Sequence, residues 1–592
     1  MHASGRIEPR RLVLITALAA VIGLIGGAAA WVLVHLIAVI TNLALLHRMG
    51  WSLPSLAHVH FGWSLVLVAV AGGLIVSLLA RWSPEIRGHG IPEAMEAVLA
   101  HQSRISPRAA VAKPLSAAVA IGTGGPFGAE GPIIVTGGAL GSLIGQALPV
   151  TPSERKILLA CGAAAGMAAT FGTPLASVVL AIELLLFEFS VRAFVPLVVS
   201  ATLAGGVHSA VFGSGPLFTV PRHHYAGLDK LPIYALLGLV CGLLAVICTR
   251  GLFVVESGFR RLRLPEFWHP MLGALGFAVV GLVVPRALGV GYDSISAVLT
   301  GHLALTALGI LAVAKLGAWW VALASGTSGG TLAPLLLISG CCGSLLGSLA
   351  DVVVPSAHIS PGAFALVAMA ATFGASVRAT FTAIVFLFEL TRDYQIILPL
   401  MLASVLAEIV ANSLMRDSLM TEKLSRRGLR VEADYAVDAL ASTAVRDVMT
   451  EPAEALPASA SIGDARAKFA SGSHSAFPVV DARGRCIGMI ARGDLLQQQD
   501  GRDNRPLLEA ASLDVVTAQP EDSLLTVLRE MLDEDVGHIP IVVDDRLVGI
   551  CTRTDILDAR RKQLAAEHLQ PGWLPNRKRS LFRPRASLGD RS

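Results

Sequence analysis

Charged side chains are the scarcest component of this 592-residue chain: Asp, Glu, Lys and Arg together supply 15% of it, against about 25% in a soluble protein. With 54% hydrophobic residues and a mean hydropathy of +0.65, that shortage excludes an ordinary soluble enzyme over most of the length. The net charge of +4 is diffuse and argues against a polyanionic partner such as nucleic acid. Cysteine is sparse as well. There are seven, none in a Cys-x-x-Cys pair, which argues against a disulfide framework and predicts no metal site. The carboxylates inside apolar segments, chiefly Glu130, Glu183, Glu389 and Glu408, stand far apart. A divalent-cation pore needs acids or carbonyls in clusters, so that class is excluded.

What is abundant is apolar sequence in long runs. Segments 12–46, 62–80, 194–212, 232–255, 304–325 and 396–415 approach or exceed the roughly 20 residues that span a bilayer. They predict a polytopic α-helical membrane protein, multi-pass in the lipid bilayer. Segments 132–149 and 157–170 are shorter and broken by Gly, which predicts tilted, broken or re-entrant helices. The first run follows Arg6, Arg10 and Arg11, as a signal peptide would. It is about twice as long as a signal peptide's apolar core, so it reads as the first membrane helix, with the N-terminus cytoplasmic.

Composition changes near residue 421. The domain reading is a membrane domain over 1–424, a soluble region over 425–558, and a basic, flexible tail over 559–592. Two internal repeats organise these parts. "GAEGPIIVTGGALGSLIG" (128–145) aligns without gaps on "GTLAPLLLISGCCGSLLG" (330–347), and "TPLASVVLAIEL" (173–184) matches "ATFTAIVFLFEL" (379–390), pairing Glu183 with Glu389. Duplication of this kind in transporters often gives two halves of opposite orientation that meet near the bilayer midplane. In the soluble region "FPVVDARGRCIGMIARGDLL" (477–496) echoes "IPIVVDDRLVGICTRTDIL" (539–557), two apolar strands followed by an Asp that opens a helix.

Each membrane repeat places Gly just before an apolar run with Pro in its first turn, as does a third segment, "GHGIPEAMEAV" (88–98). Gly permits the tight turn, and Pro fits where its missing N–H would be unpaired in any case. These are helix N-termini inside a membrane. Their unpaired N–H groups and partial positive charge suit an anion, and without a full cation the ion can also leave. Glu130 sits at one of them, and no Lys or Arg lies between Lys113 and Arg155 to neutralise it.

The segments GxGIP (88–92), GxEGP (128–132) and GxxAP (330–334), followed by "VRATFTAIVFLFELTRDYQIILP" (377–399), resemble the signature of CLC chloride channels and chloride/proton antiporters over about residues 12–424. The cytoplasmic repeat is similar to a pair of CBS domains, at about 441–500 and 508–558. The resemblance implies an α-helical polytopic membrane protein with an inverted internal repeat, plus a C-terminal α/β CBS pair. It implies chloride as the bound ion, a homodimer with one pore per subunit, both termini cytoplasmic, no enzymatic activity and no required cofactor. For a prokaryote-like cell the site is the plasma (inner) membrane. Glu130 becomes the gate: ionised, it competes with the anion; protonated, it swings away. The anion-binding set is Gly88, His89, Gly90, Ile91, Pro92, Gly128, Ala129, Gly131, Pro132, Gly330, Thr331, Leu332 and Ala333.

Four departures bear on mechanism. His89 stands where the family has a serine, so either its imidazole donates to the anion or it turns aside and leaves the backbone to coordinate. Arg416 aligns with the family's central tyrosine, at the inner mouth or snorkelling to headgroups. Leu332 replaces a bulky aromatic. Leu184 occupies the place of the antiporters' internal proton-passing glutamate, and the neighbouring Glu183 points about 100° away on an ideal helix, leaving it as a possible proton path. The balance favours a proton-gated passive channel. The alternative is a chloride/proton antiporter with a non-standard path, and fluoride and nitrate stay open as substrates. In the CBS-like pair, Asp494 and Asp555 match ribose-contacting positions and Thr552 a phosphate neighbour, so an adenine nucleotide is a candidate ligand. Ala491 replaces the Thr of the first copy, and the scaffold reading is favoured.

Overall fold

Two series of eight helices, corresponding in order, build the membrane part of the chain. The first series is α1 (Pro9–Leu46), α2 (Ser64–Trp82), α3 (Ile91–Ala100), α4 (Pro107–Gly122), α5 (Glu130–Ala147), α6 (Pro152–Phe171), α7 (Pro174–Ala181) and α8 (Val191–Val211). The second is α9 (Leu231–Arg261), α10 (His269–Val283), α11 (Tyr292–Leu299), α12 (Leu305–Ala324), α13 (Leu332–Val353), α14 (Pro361–Val377), α15 (Thr380–Thr391) and α16 (Ile397–Leu414), after which comes the short α17 (Glu422–Arg426). This computed structural model describes residues 9–220, 230–355, 359–429, 440, 443–472, 474–496 and 503–566. Eight helices among the described residues are long and apolar enough to cross a membrane. Segments 132–149 and 157–170 become α5 and α6, whose residues are mostly buried against other helices, so their glycines serve packing. A Cβ on Gly137 or Gly162 would strike the other's carbonyl, which brings these two helices to backbone contact.

A contact within the first series recurs in the second. Lys113 on α4 is fully buried and donates to the carbonyls of Ile86 (2.8 Å) and Gly88 (2.9 Å). Lys315 on α12 is equally buried and donates to Ala287 (3.1 Å) and Gly289 (2.8 Å). A buried ammonium is costly unless its hydrogen bonds are met; here each clamps a glycine turn. The duplication predicted from two sequence stretches thus extends over both whole series, and the fold is an inverted-repeat membrane architecture with a C-terminal α/β pair.

The chain divides after Arg430, and Val431–His568 forms the second compact unit. In its first half β1 (Leu456–Pro457) pairs parallel with β2 (Ala476–Val480), which pairs antiparallel with β3 (Cys486–Ala491). Helices α18 (Ile462–Ser471) and α19 (Arg492–Leu496) flank them. The second half repeats the plan with α20 (Leu524–Asp533), antiparallel β4 (His538–Val543) and β5 (Arg546–Thr552), and α21 (Arg553–Ala566). Each half buries its own apolar cluster, Phe469, Phe477, Val479 and Ile490 in one, Val527, Met531, Ile539 and Ile541 in the other. The flexible tail expected from 559 does not begin there, because α21 continues to Ala566; the remainder, 567–592, lies outside the described residues.

Candidate anion pathway

All thirteen residues of the predicted anion set are buried, and backbone contacts bring their three turns together. Gly330 donates to the Gly128 carbonyl at 2.8 Å and Gly128 to the Gly330 carbonyl at 3.3 Å, so the repeat-related residues pair with each other. Gly88 pairs with Ser328. A Cβ on Gly90 (φ +101°) would come 2.5 Å from the Gly131 carbonyl, and one on Gly131 would run into the carbonyl of His89. Only glycine allows this approach. The N-termini of α3, α5 and α13 therefore converge at one place.

Glu130 occupies the first turn of α5, only 2% exposed, and neither carboxylate oxygen has a hydrogen-bond partner among the described residues. The carboxylate crowds the Cα atoms of Gly128 and Gly330 and lies against its own amide and that of Ala333. It thus stands among N–H donors of two helix starts. A bound anion would seek the same donors.

His89 is also buried, with neither ring nitrogen partnered among the described residues, and the same holds for the hydroxyl of Ser328. Neither alternative for His89, donation to an anion or turning aside, is set by a contact with another side chain among the described residues. Its neighbour Gly90 donates its N–H to Glu93 at 2.7 Å, so that donor is engaged and Ile91 is the next available amide. Ser325 bonds back to the Ala322 carbonyl at 2.7 Å, a local helix contact.

Glu183 lies in a π-helical turn, Ile182–Leu186, and its Oε2 accepts from the Thr382 amide (2.9 Å) and hydroxyl (2.5 Å). Its repeat partner Glu389 accepts from the amides of Leu175 (3.0 Å) and Ala176 (2.7 Å). Each acid caps the helix start of the other repeat, α15 and α7. A contact made twice by symmetry points to a structural cap. Arg416 is exposed beside a cavity of about 450 Å³ that it shares with Arg250, Arg261 and Arg426, apart from the three turns.

The structure adds residues that sequence reading did not single out. Gly289 and Gly291, both with positive φ, form a fourth turn before α11, repeating Gly88 and Gly90 before α3. The shared Gly-x-Gly was readable in "LGVGYD", but Pro92 has no counterpart there. A cavity of about 1080 Å³ reaches Gly88 and is lined by Arg87, Lys423 and Arg427 among others. Lys423 Nζ packs over Gly88. A second cavity, about 190 Å³, is lined by Ser55, Arg286, Gly289 and Tyr292. Ser55 of the smaller cavity and Arg87 of the larger one lie before and after α2, a helix long and apolar enough to cross a membrane.

In the second unit Asp494 accepts from the Ala491 amide (2.8 Å), and Asp555 from the amide (2.8 Å) and hydroxyl (2.7 Å) of Thr552. These carboxylates cap the starts of their own helices, α19 and α21.

Comparison with known proteins places this geometry. The profile of the family described as voltage gated chloride channel matches residues 71–412, and that of the CBS domain matches 445–501 and 509–562. An H(+)/Cl(−) exchange transporter ClcA of Vibrio parahaemolyticus is 32% identical over 361 residues, 59% of this chain and 76% of that protein. One from Salmonella agona is 29% identical over 401 residues, 66% and 84% of the two chains. The crystal structure of a slow cyanobacterial Cl−/H+ antiporter superposes with a TM-score of 0.62 at 25% identity, covering 71% of this chain and 99% of that one. A eukaryotic CLC transporter, at 21% identity and a TM-score of 0.60, shares the fold across 92% of this chain and 98% of its own.

Proposed function

Since the chain belongs to the voltage gated chloride channel family, with a C-terminal CBS pair, we propose that it exchanges chloride for protons across the plasma (inner) membrane, with Glu130 as the shared gate. The observation that carries this reading is the Glu130 carboxylate, buried and unpartnered among the amides of two helix starts. Ionised, it takes the anion's place. Protonated, it no longer attracts those amides, swings aside, and leaves the donors of α5, α13 and Ile91 to chloride. One residue then handles both ions in turn, which is the requirement for exchange.

The absence of an internal glutamate at Leu184 favoured a passive channel when read alone. The relatives named as exchange transporters support the exchange reading better, and in this reading protons enter from the cytoplasmic face through the large cavity at Gly88, lined by charged groups, without Leu184 or Glu183. His89 is the side-chain donor at the central turn. Arg10 and Arg11 put the N-terminus, and with it this cavity, in the cytoplasm. The protein functions as a homodimer with one pathway per subunit, and the CBS pair serves as a scaffold, its Asp494 and Asp555 engaged as helix caps.

The test is reconstitution of the purified protein in liposomes with chloride efflux and proton movement recorded together. An outward chloride gradient is expected to drive protons inward against their own gradient. Chloride efflux with no pumped protons would leave a passive channel as the correct reading. Replacing chloride by fluoride or nitrate in the same assay ranks the anions.

A further inference from the structure

Tyr292 begins α11, directly after the Gly289–Gly291 turn that repeats the central Gly88–Gly90 turn. Its ring sits edge-on between Phe171 and Phe218, each with centroids 6.2 Å away, so the side chain is held in one direction. One side of the residue lines the smaller cavity. Its hydroxyl is buried, has no hydrogen-bond partner among the described residues, and faces the Glu130 carboxylate, which also has none. Two buried polar groups that face each other, neither held by another partner among the described residues, form a contact ready to act as one unit. The other charged group facing Glu130 is Lys315 of α12, whose Nζ is clamped by the Ala287 and Gly289 carbonyls and near Asp293.

Resting on the gate reading above, we infer that the Tyr292 hydroxyl is a latch: it donates to ionised Glu130, holds it across the pathway, and shields it from the outer cavity. A hydroxyl donor favours the charged form of its partner over the neutral one. Protonation of Glu130 weakens the bond and lets the side chain leave. The second repeat thereby controls the gate carried by the first. Tyr292 is a positioning residue; it makes no contact with the transported ion in this account.

The experiment uses full-length protein in liposomes and compares wild type, Tyr292→Phe, Glu130→Gln and the double variant, with chloride flux measured between pH 4.5 and 8. Phe keeps the ring between Phe171 and Phe218, and unchanged thermal stability in detergent checks that the fold is kept. Removing the donor is expected to raise chloride flux at neutral pH by about tenfold, the worth of a hydrogen bond to a charged group. The flux midpoint should move up by about one pH unit, since the ionised gate has lost a stabilising partner. With Glu130→Gln in place, the Phe substitution should change flux less than about twofold, because no charge remains to be held. Equal fold-changes in both backgrounds, or an unshifted midpoint in the single variant, would overturn the latch. If instead Glu130→Gln alone left the pH profile intact, the gate reading itself would fail, so the two failures are told apart.

Discussion

Glu130→Gln is expected to abolish proton transport, at least tenfold below wild type, and to leave a chloride flux that no longer responds to pH. Gln preserves the shape and the buried position of a side chain that is 2% exposed, so the helices around it have no reason to move. What it removes is the charge and the ability to change it. In wild type, acid protonates the carboxylate, the competition with the anion ends, and flux rises as pH falls. With Gln the amide neither carries a proton between the two faces nor attracts the N–H donors as an anion does. Flux recorded from pH 4.5 to 8 should therefore be level. A profile that still climbs with acid would place the proton sensor elsewhere.

Gly131→Ala should be the most destructive single methyl in the molecule. The new Cβ would run into the carbonyl of His89, a backbone atom with no rotamer to escape through. Relief requires α5 and the Gly88–Gly90 turn to separate, and overpacking of a rigid site costs up to about 3 kcal/mol or more. Separation would also spread the three helix starts on which anion binding depends. Size-exclusion profiles and thermal stability in detergent should show little folded protein, and what folds should carry chloride poorly. A well-folded, fully active variant would mean that the turns are not in contact.

The convergence was legible in the sequence because each predicted start carried two independent marks, Gly for the turn and Pro for the first helical position. The fourth turn carried only one. The second repeat has Tyr292 and Asp293 where the first has Ile91 and Pro92, so the Pro mark of a helix start is missing there. The buried lysines were invisible for a different reason. Lys113 and Lys315 each interrupt an apolar run once, and nothing local says whether such an ammonium reaches lipid headgroups or a turn 25 to 28 residues earlier. Their partners are carbonyls, which every residue has.

Glu183 shows the limit of reading direction from an ideal helix. Its turn is π-helical, which changes the angle between neighbours, and its partner Thr382 comes from the other repeat, 199 positions away. Reading Glu183 and Glu389 as an aligned pair did point to the matching contacts, since both acids accept from a helix start of the other repeat. Arg416, aligned by its position along a motif, lies exposed beside Arg250, Arg261 and Arg426, where an inner mouth and a headgroup contact both have room. The tail boundary was set from composition alone, which cannot see that α21 runs on through basic residues to Ala566.

The most direct measurement is chloride binding to the purified protein by calorimetry, wild type beside Glu130→Gln at pH 7.5. If an ionised carboxylate occupies donors that belong to the anion, the Gln variant binds chloride at least several-fold more tightly, and the wild type approaches it as the pH is lowered. Equal affinities in the two proteins at every pH would contradict the competition on which the whole mechanism stands.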